Sequence, residues 1–309
     1  MGFIDRNLAD RIERVKERQK AVVLAHNFVN PEVHEIADFT GSSLQLCMKA
    51  IQTDADVIIV CGVRFMGENI KLLVPQKTVL LPERDAECPM ADMVSGKELQ
   101  TLKNKYPNAL VLASIKTNAR EKARSHLCYA ETLRNDILRD IPPEREIIFL
   151  PDKYTGLRLS EVTARNIISY PGFCPVHMRI LPEDIVEKKR KHPHAPVASH
   201  SHCSKAVTDL SDFTGDTEEL LNFAFESGAD EIIYATERDF GYRIKSLNPE
   251  CNPIPASFLT VCTSMKRINA GSVLRSLESL SGVVELDSEL ANRASLPLSK
   301  ILKVKAGKA

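Results

Sequence analysis

Apolar and polar positions fall along this chain in blocks whose lengths separate strands from helices. Three short apolar runs, AVVLAH (21–26), ALVLAS (109–114) and APVASH (195–200), suit buried strands. Each is followed by a polar stretch with helical spacing and then by a second apolar run, DVIIVCG (56–62), EIIFLPD (146–152) or EIIYATE (231–237). Strand, crossover helix, strand is the βαβ unit. It builds a parallel sheet flanked by helices, with functional residues at the carboxyl ends of the strands. Ahead of the first unit, Leu8, Ile12 and Val15 line one side of an amphipathic helix.

The units repeat one another. SDFTG (211–215) follows ADFTG (37–41) by 174 residues, and the same offset pairs His26 with His200 and Ser43 with Thr217. KYPNALVLAS (105–114) matches KHPHAPVASH (191–200) at an offset of 86, and VVLAHN (22–27) lies over LVLASI (110–115) at 88. A period of about 87 is too long for a solenoid. The expected fold is α/β: three βαβ domains around a pseudo-threefold axis, spanning residues 1–100, 101–186 and 187–309, the last with a C-terminal helical segment.

Composition narrows the function. Lys+Arg and Asp+Glu are both 41, which leaves no net field for nucleic acid or an anionic membrane surface. Neither a bilayer-length apolar run nor a signal peptide is present, so a cytoplasmic protein is expected, monomeric or homodimeric, with a small-molecule substrate. No glycine-rich phosphate loop follows a strand, and no nucleotide cofactor is expected. Eight cysteines in such a chain point to metal or redox chemistry rather than disulfides.

The repeat sorts those cysteines. Cys88, Cys174 and Cys262 are separated by 86 and 88 residues, so each unit contributes one, in the short loops ECPMADM, FCPVHMR and VCTSMKR. Three such loops meeting on the axis would present three thiolates to one point, a donor set for an iron–sulfur cluster or zinc. The other five, Cys47, Cys61, Cys128, Cys203 and Cys251, have no counterparts and read as core or incidental.

At this level of detail the chain resembles quinolinate synthases. LAH, ADFTGSSLQL, TDADVIIVCGVRFMGENIKLL, KTVLLPERDAECPMADM, IIFLPDKYTG, PGFCPVHMR and SDFTGDTEEL carry the resemblance over essentially the whole length. It implies three pseudo-symmetric α/β domains around one [4Fe–4S] cluster on Cys88, Cys174 and Cys262, with one iron open to substrate. The implied reaction serves NAD biosynthesis: iminoaspartate condenses with dihydroxyacetone phosphate, loses phosphate and water, and closes a pyridine ring. His26, Ser43, His200 and Thr217 match positions lining the substrate cavity. The structural alternatives are a strand-end histidine in an internal hydrogen bond, and Ser43 or Thr217 capping a helix.

Elsewhere the cavity departs from the pattern. His-x-Tyr is His26-Asn27-Phe28, Tyr-x-Asn is Ser114-Ile115-Lys116, Thr-Ser is Ala130-Glu131, and His-Pro-Glu-Cys is His200-Ser201-His202-Cys203. A Pro-Asn pair after the third cysteine is Thr263-Ser264. Phe28, Lys116 and His202 occupy one position in the three copies, two beyond His26, Ser114 and His200. Catalytic roles are therefore expected for His26, Lys116, Glu131, His200 and His202, and substrate contacts for Phe28, Ser43, Ser114 and Thr217. Lys116 is open to three readings: a charge partner of Glu131, an anion anchor or a Schiff-base nucleophile. The expected function is a dehydrative condensation or cyclisation on substrates other than the usual pair. The alternatives are a true quinolinate synthase and a non-catalytic iron–sulfur or zinc sensor.

Overall fold

The structure is a computed structural model that describes residues 2–306, with side chains to residue 301. Twelve strands form three four-stranded sheets, every pairing within them parallel. The first holds β1 (Ala21–His26), β2 (Phe39–Gly41), β3 (Val57–Cys61) and β4 (Thr78–Leu80). The second holds β5 (Leu110–Ser114), β6 (Leu127–Tyr129), β7 (Ile147–Leu150) and β8 (Ile167–Ser169). The third holds β9 (Val197–His200), β10 (Phe213–Gly215), β11 (Glu231–Ala235) and β12 (Asn252–Pro255).

All three sheets share one strand order, β2-β1-β3-β4 and its equivalents, so the threefold repeat in sequence is a threefold repeat in topology. From the first strand of each sheet the chain steps to one side and then to the other. That reversal opens a crevice at the carboxyl end of the first strand, where α/β sheets bind ligands. His26, Ser114 and His200 are the last residues of β1, β5 and β9.

The register is copied to the residue. His26 pairs with Gly41, Ser114 with Tyr129 and His200 with Gly215. One side chain per unit also receives the N–H of a residue in that unit's first strand. Val23 donates to Asp38 (2.7 Å), Val111 to the His126 ring (2.9 Å) and Val197 to Asp212 (2.8 Å).

The units clasp one another cyclically. Asn69 donates to the Ile115 carbonyl of the second unit, Arg158 to Thr214 of the third and Arg243 to Thr40 of the first. The C-terminal segment, which follows the third unit in sequence, packs on the first two. Helix Ala270–Ser279 lies against Arg6–Gln19, and helix Ser288–Ala306 lies against Arg64–Leu73, Ala119–Lys122 and β6. Between them Leu81 N–H donates to the Gly282 carbonyl at 2.9 Å, and Val283 bridges Leu80 antiparallel to the edge of β4. No helix among the described residues is long and apolar enough to cross a membrane.

Candidate active site and metal centre

The carboxyl ends of the central strands converge on a cavity of about 160 Å³, lined by residues of all three units. His26, Phe28, Ser43, Ser114, Lys116, Glu131, His200, His202, Thr217 and the three repeat cysteines all border it. His177 and Arg179 border it too. Sequence reasoning quoted His177 only as part of a motif; its signal was its place three residues after Cys174.

The same turn is built at each strand end. Phe28 N–H donates to His26 Nδ1 (3.2 Å), Lys116 N–H to Ser114 Oγ (3.2 Å) and His202 N–H to His200 Nδ1 (3.1 Å). Accepting at Nδ1 puts the proton of each neutral imidazole on Nε2. Burial, reinforced by Lys116, lowers the His26 pKa to about 3, and burial with His202 and Lys116 holds His200 well below its usual value. Both rings are therefore uncharged N–H donors near neutral pH, and the internal hydrogen bond and the cavity position coexist.

Ser43 and Thr217 are the first residues of helices Ser43–Gln52 and Thr217–Glu226. They are not the caps. Ser42 accepts from Gln45 N–H, and Asp216 accepts from Glu218 and Glu219 N–H, each within a capping box. The capping reading of Ser43 and Thr217 is corrected by one residue. In the middle unit the position matching Ser43 and Thr217 is Glu131, the first residue of the 3-10 turn Glu131–Leu133.

Glu131 faces Lys116 at 3.6 Å and accepts a hydrogen bond from Ser201 Oγ at 2.9 Å. Burial raises its pKa to about 7 against the opposing pull of Lys116. Lys116 Nζ also lies 3.5 Å from His202 Nε2, and burial beside that ammonium keeps His202 well below its ordinary pKa. Phe28 packs its edge on His26 with ring centroids 4.9 Å apart. The His200 and His202 rings are 4.3 Å apart, and those of His177 and His200 4.5 Å. Outside this group Lys266 is committed to Glu237 (3.1 Å) and Asp239 (2.7 Å).

Cys88, Cys174 and Cys262 are the three partly accessible cysteines among the described residues; the other five are buried. Each begins one helical turn, its carbonyl accepting from Asp92, Met178 or Lys266 N–H, four residues on. Two backbone N–H groups address each sulfur: Ala91 and Met90 at Cys88, His177 and Val176 at Cys174, Met265 and Ser264 at Cys262. Burial pushes all three thiols up, Cys174 to about 12, and the N–H pairs oppose it. The thiols also lie close enough to raise one another, with both partners acting on Cys88 and Cys262 acting on Cys174. Three thiols with hydrogen-bonded sulfurs, on equivalent loops at one cavity, fit the ligand set of an iron–sulfur cluster.

Comparison with known proteins agrees with this geometry. The family described as NadA, quinolinate synthetase A protein, matches residues 10–303. The chain is 39% identical to the quinolinate synthase of Dehalococcoides mccartyi strain 195 over 297 residues, covering 96% of this chain and 98% of that one. It is 40% identical to the quinolinate synthase of Methanosarcina barkeri strain Fusaro over 298 residues, with 96% and 98% covered. Quinolinate synthase 1 of Methanosarcina acetivorans is 39% identical over 299 residues, with 97% and 98% covered. With three matching sheets meeting at a cavity that holds the three repeat cysteines, the chain belongs to the quinolinate synthase family of enzymes.

Proposed function

We propose that this enzyme carries out a quinolinate-synthase-type dehydrative condensation or cyclisation on a substrate other than iminoaspartate with dihydroxyacetone phosphate. Cys88, Cys174 and Cys262 would hold a [4Fe–4S] cluster. Such a cluster supplies an iron that acts as a Lewis acid toward a substrate oxygen or nitrogen. A reducing, cytoplasmic setting suits three unpaired, partly accessible thiols.

The side chains divide the remaining work. His26 and His200 offer Nε2–H, and Ser43 and Thr217 offer hydroxyls at helix N-termini, where backbone dipoles favour a carboxylate or phosphate. These are two anion-holding walls. The third wall offers Lys116 and a carboxyl titrating near neutrality, so Glu131 can exchange a proton with substrate while its Oε2 accepts a hydrogen bond from Ser201 Oγ. Phe28 sets its ring edgewise against the His26 ring and puts an apolar face where the family pattern has a phenol.

The observation that carries the reading is Glu131, at the position of Ser43 and Thr217, paired across the cavity edge with Lys116. An unpaired ionised carboxylate about 4 Å from a substrate anion would cost about 4 kcal/mol at an effective dielectric near 20; with Lys116 opposite it the pair carries no net charge, so this wall offers no surplus cation to a second anion and suits an amine, a carbonyl or a neutral end. The direct test is turnover of the usual pair by anaerobic, cluster-loaded protein. We expect little or no quinolinate, below about a hundredth of an ordinary family rate, because a phenol and a carboxylate are missing from the proton-transfer set. Quinolinate formed at an ordinary rate overturns the reading and establishes the second one. That second reading, a true quinolinate synthase with a divergent wall, is favoured by the 39–40% identity along nearly the full length. Rescue of a strain lacking quinolinate synthase would support it independently.

A further inference from the structure

Cys174, His177 and His202 offer three ligand atoms that all lie within 4.8 Å of one another. The two histidines are 2% and 6% exposed, so their ring nitrogens are largely shielded from bulk water. His177 Nε2 contacts Thr236 Oγ1 at 2.9 Å, while its Nδ1 is buried without a hydrogen-bond partner among the described residues. Cys174 and His177 share one turn of the second unit, and His202 comes from the third. The family motif implies a glutamate at 202; a histidine there completes a set of one sulfur and two nitrogens.

We propose that Cys174, His177 and His202 form a site for a single zinc ion in chains that carry no iron–sulfur cluster. One thiolate and two imidazoles suit zinc, whereas magnesium and calcium demand oxygen. Thr236 supplies the outer hydrogen bond that orients a ligating histidine. Three protein ligands leave the fourth position open to the cavity. Because Cys174 belongs to both donor sets, zinc and the cluster exclude each other: an ion bound here withholds one of the three repeat cysteines from cluster assembly.

Cobalt(II) reports such a site, since tetrahedral cobalt absorbs in the visible and a cobalt–thiolate bond adds a near-ultraviolet charge-transfer band. The full chain, freed of iron under reducing conditions, should bind one cobalt per chain with both features, and zinc should bleach them at one equivalent. His177→Gln and His202→Gln should each weaken binding by more than about a hundredfold, beyond the loss typical of an outer-shell change. Cys174→Ser should abolish the charge-transfer band. Cys88→Ser and Cys262→Ser should retain it at unchanged intensity. Unaltered affinity in His202→Gln, or loss of the band in Cys88→Ser or Cys262→Ser, overturns the proposal. Thermal melts of each variant separate ligand loss from misfolding, and if a histidine variant does not fold, the two retained-band variants still decide the matter. Cluster-loaded protein should show no cobalt–thiolate band; a full-strength band beside an intact cluster also overturns it. The site is independent of the proposed reaction: a chain that binds cobalt in this way and takes up no cluster would remove the cluster reading and leave the zinc site standing.

Discussion

Glu131 gathers the cavity's electrostatics in one side chain. In the unfolded chain its carboxyl titrates at the ordinary 4.5, and in the fold burial moves it to about 7. Its folded-state pKa is raised, so the folded chain holds a proton that the unfolded chain has released in that window. Stability from this group is therefore present at low pH and falls as pH rises from about 4.5 to about 7, by about 1.4 kcal/mol per pH unit. Glu131→Gln should gain on the parent through the same window, as paired thermal melts at pH 5 and pH 8 would show. Lys116→Met removes the ammonium that opposes the shift, so Glu131 should then titrate above 7 by infrared spectroscopy of its carboxyl. A shift downward would place the Lys116 charge elsewhere. His26 and His200 make the converse case. Their Nδ1 atoms are occupied by backbone N–H groups, so replacement by asparagine, which can copy that hydrogen bond but not reach as far as Nε2, should preserve the melt and lower turnover by about a hundredfold or more.

At the scale of elements, much was legible because the first strands of the units are short, apolar and in register. The parallel sheets and the strand-end positions follow from apolar runs such as 21–26 and 195–200. Helix starts were legible only to within a residue: Gly41 and Gly215 drew attention to Ser43 and Thr217, while Ser42 and Asp216 are the caps. Glu131 is expected at the cavity from the sequence, but its equivalence to Ser43 and Thr217 is not apparent there. In the middle unit Tyr129 replaces the glycine and a 3-10 turn replaces the immediate helix, so Glu131 lost the context that marks its equivalents. Pairing of Lys116 with Glu131 was expected as one of three roles, but the approach of both to the third unit's Ser201 and His202 depends on packing between units. Two element-level outcomes follow. Asp216→Ala removes a cap with two backbone donors and should cost about 1 kcal/mol in denaturant midpoint analysis while displacing Thr217. Gly282 has φ +86°, and an added Cβ would sit 2.1 Å from the Leu81 carbonyl oxygen, so Gly282→Ala should cost about 1–3 kcal/mol and loosen the C-terminal segment from β4.

Across the whole molecule the three units are held by side chains that each reach the next unit, Asn69 to the second, Arg158 to the third and Arg243 to the first. The cysteines depend on that closure, because no unit brings more than one of the three to the cavity. Cys88→Ala, Cys174→Ala and Cys262→Ala should each strip or destabilise the cluster, read as iron and sulfide content of anaerobic protein and as loss of its visible absorption. Cys47→Ala and Cys251→Ala should keep it, since both thiols lie in the core.

The threefold repetition of one strand order lies within a single chain. Three identical subunits would repeat every side chain three times around the axis, and a mutation at one wall would appear at all of them. Joining the copies in a single polypeptide frees each wall to mutate alone. Phe28, Lys116 and His202 occupy one place in the repeat with three different side chains, as do Ser43, Glu131 and Thr217. A lopsided substrate can then be met by a lopsided pocket, while the scaffold beneath keeps its threefold symmetry.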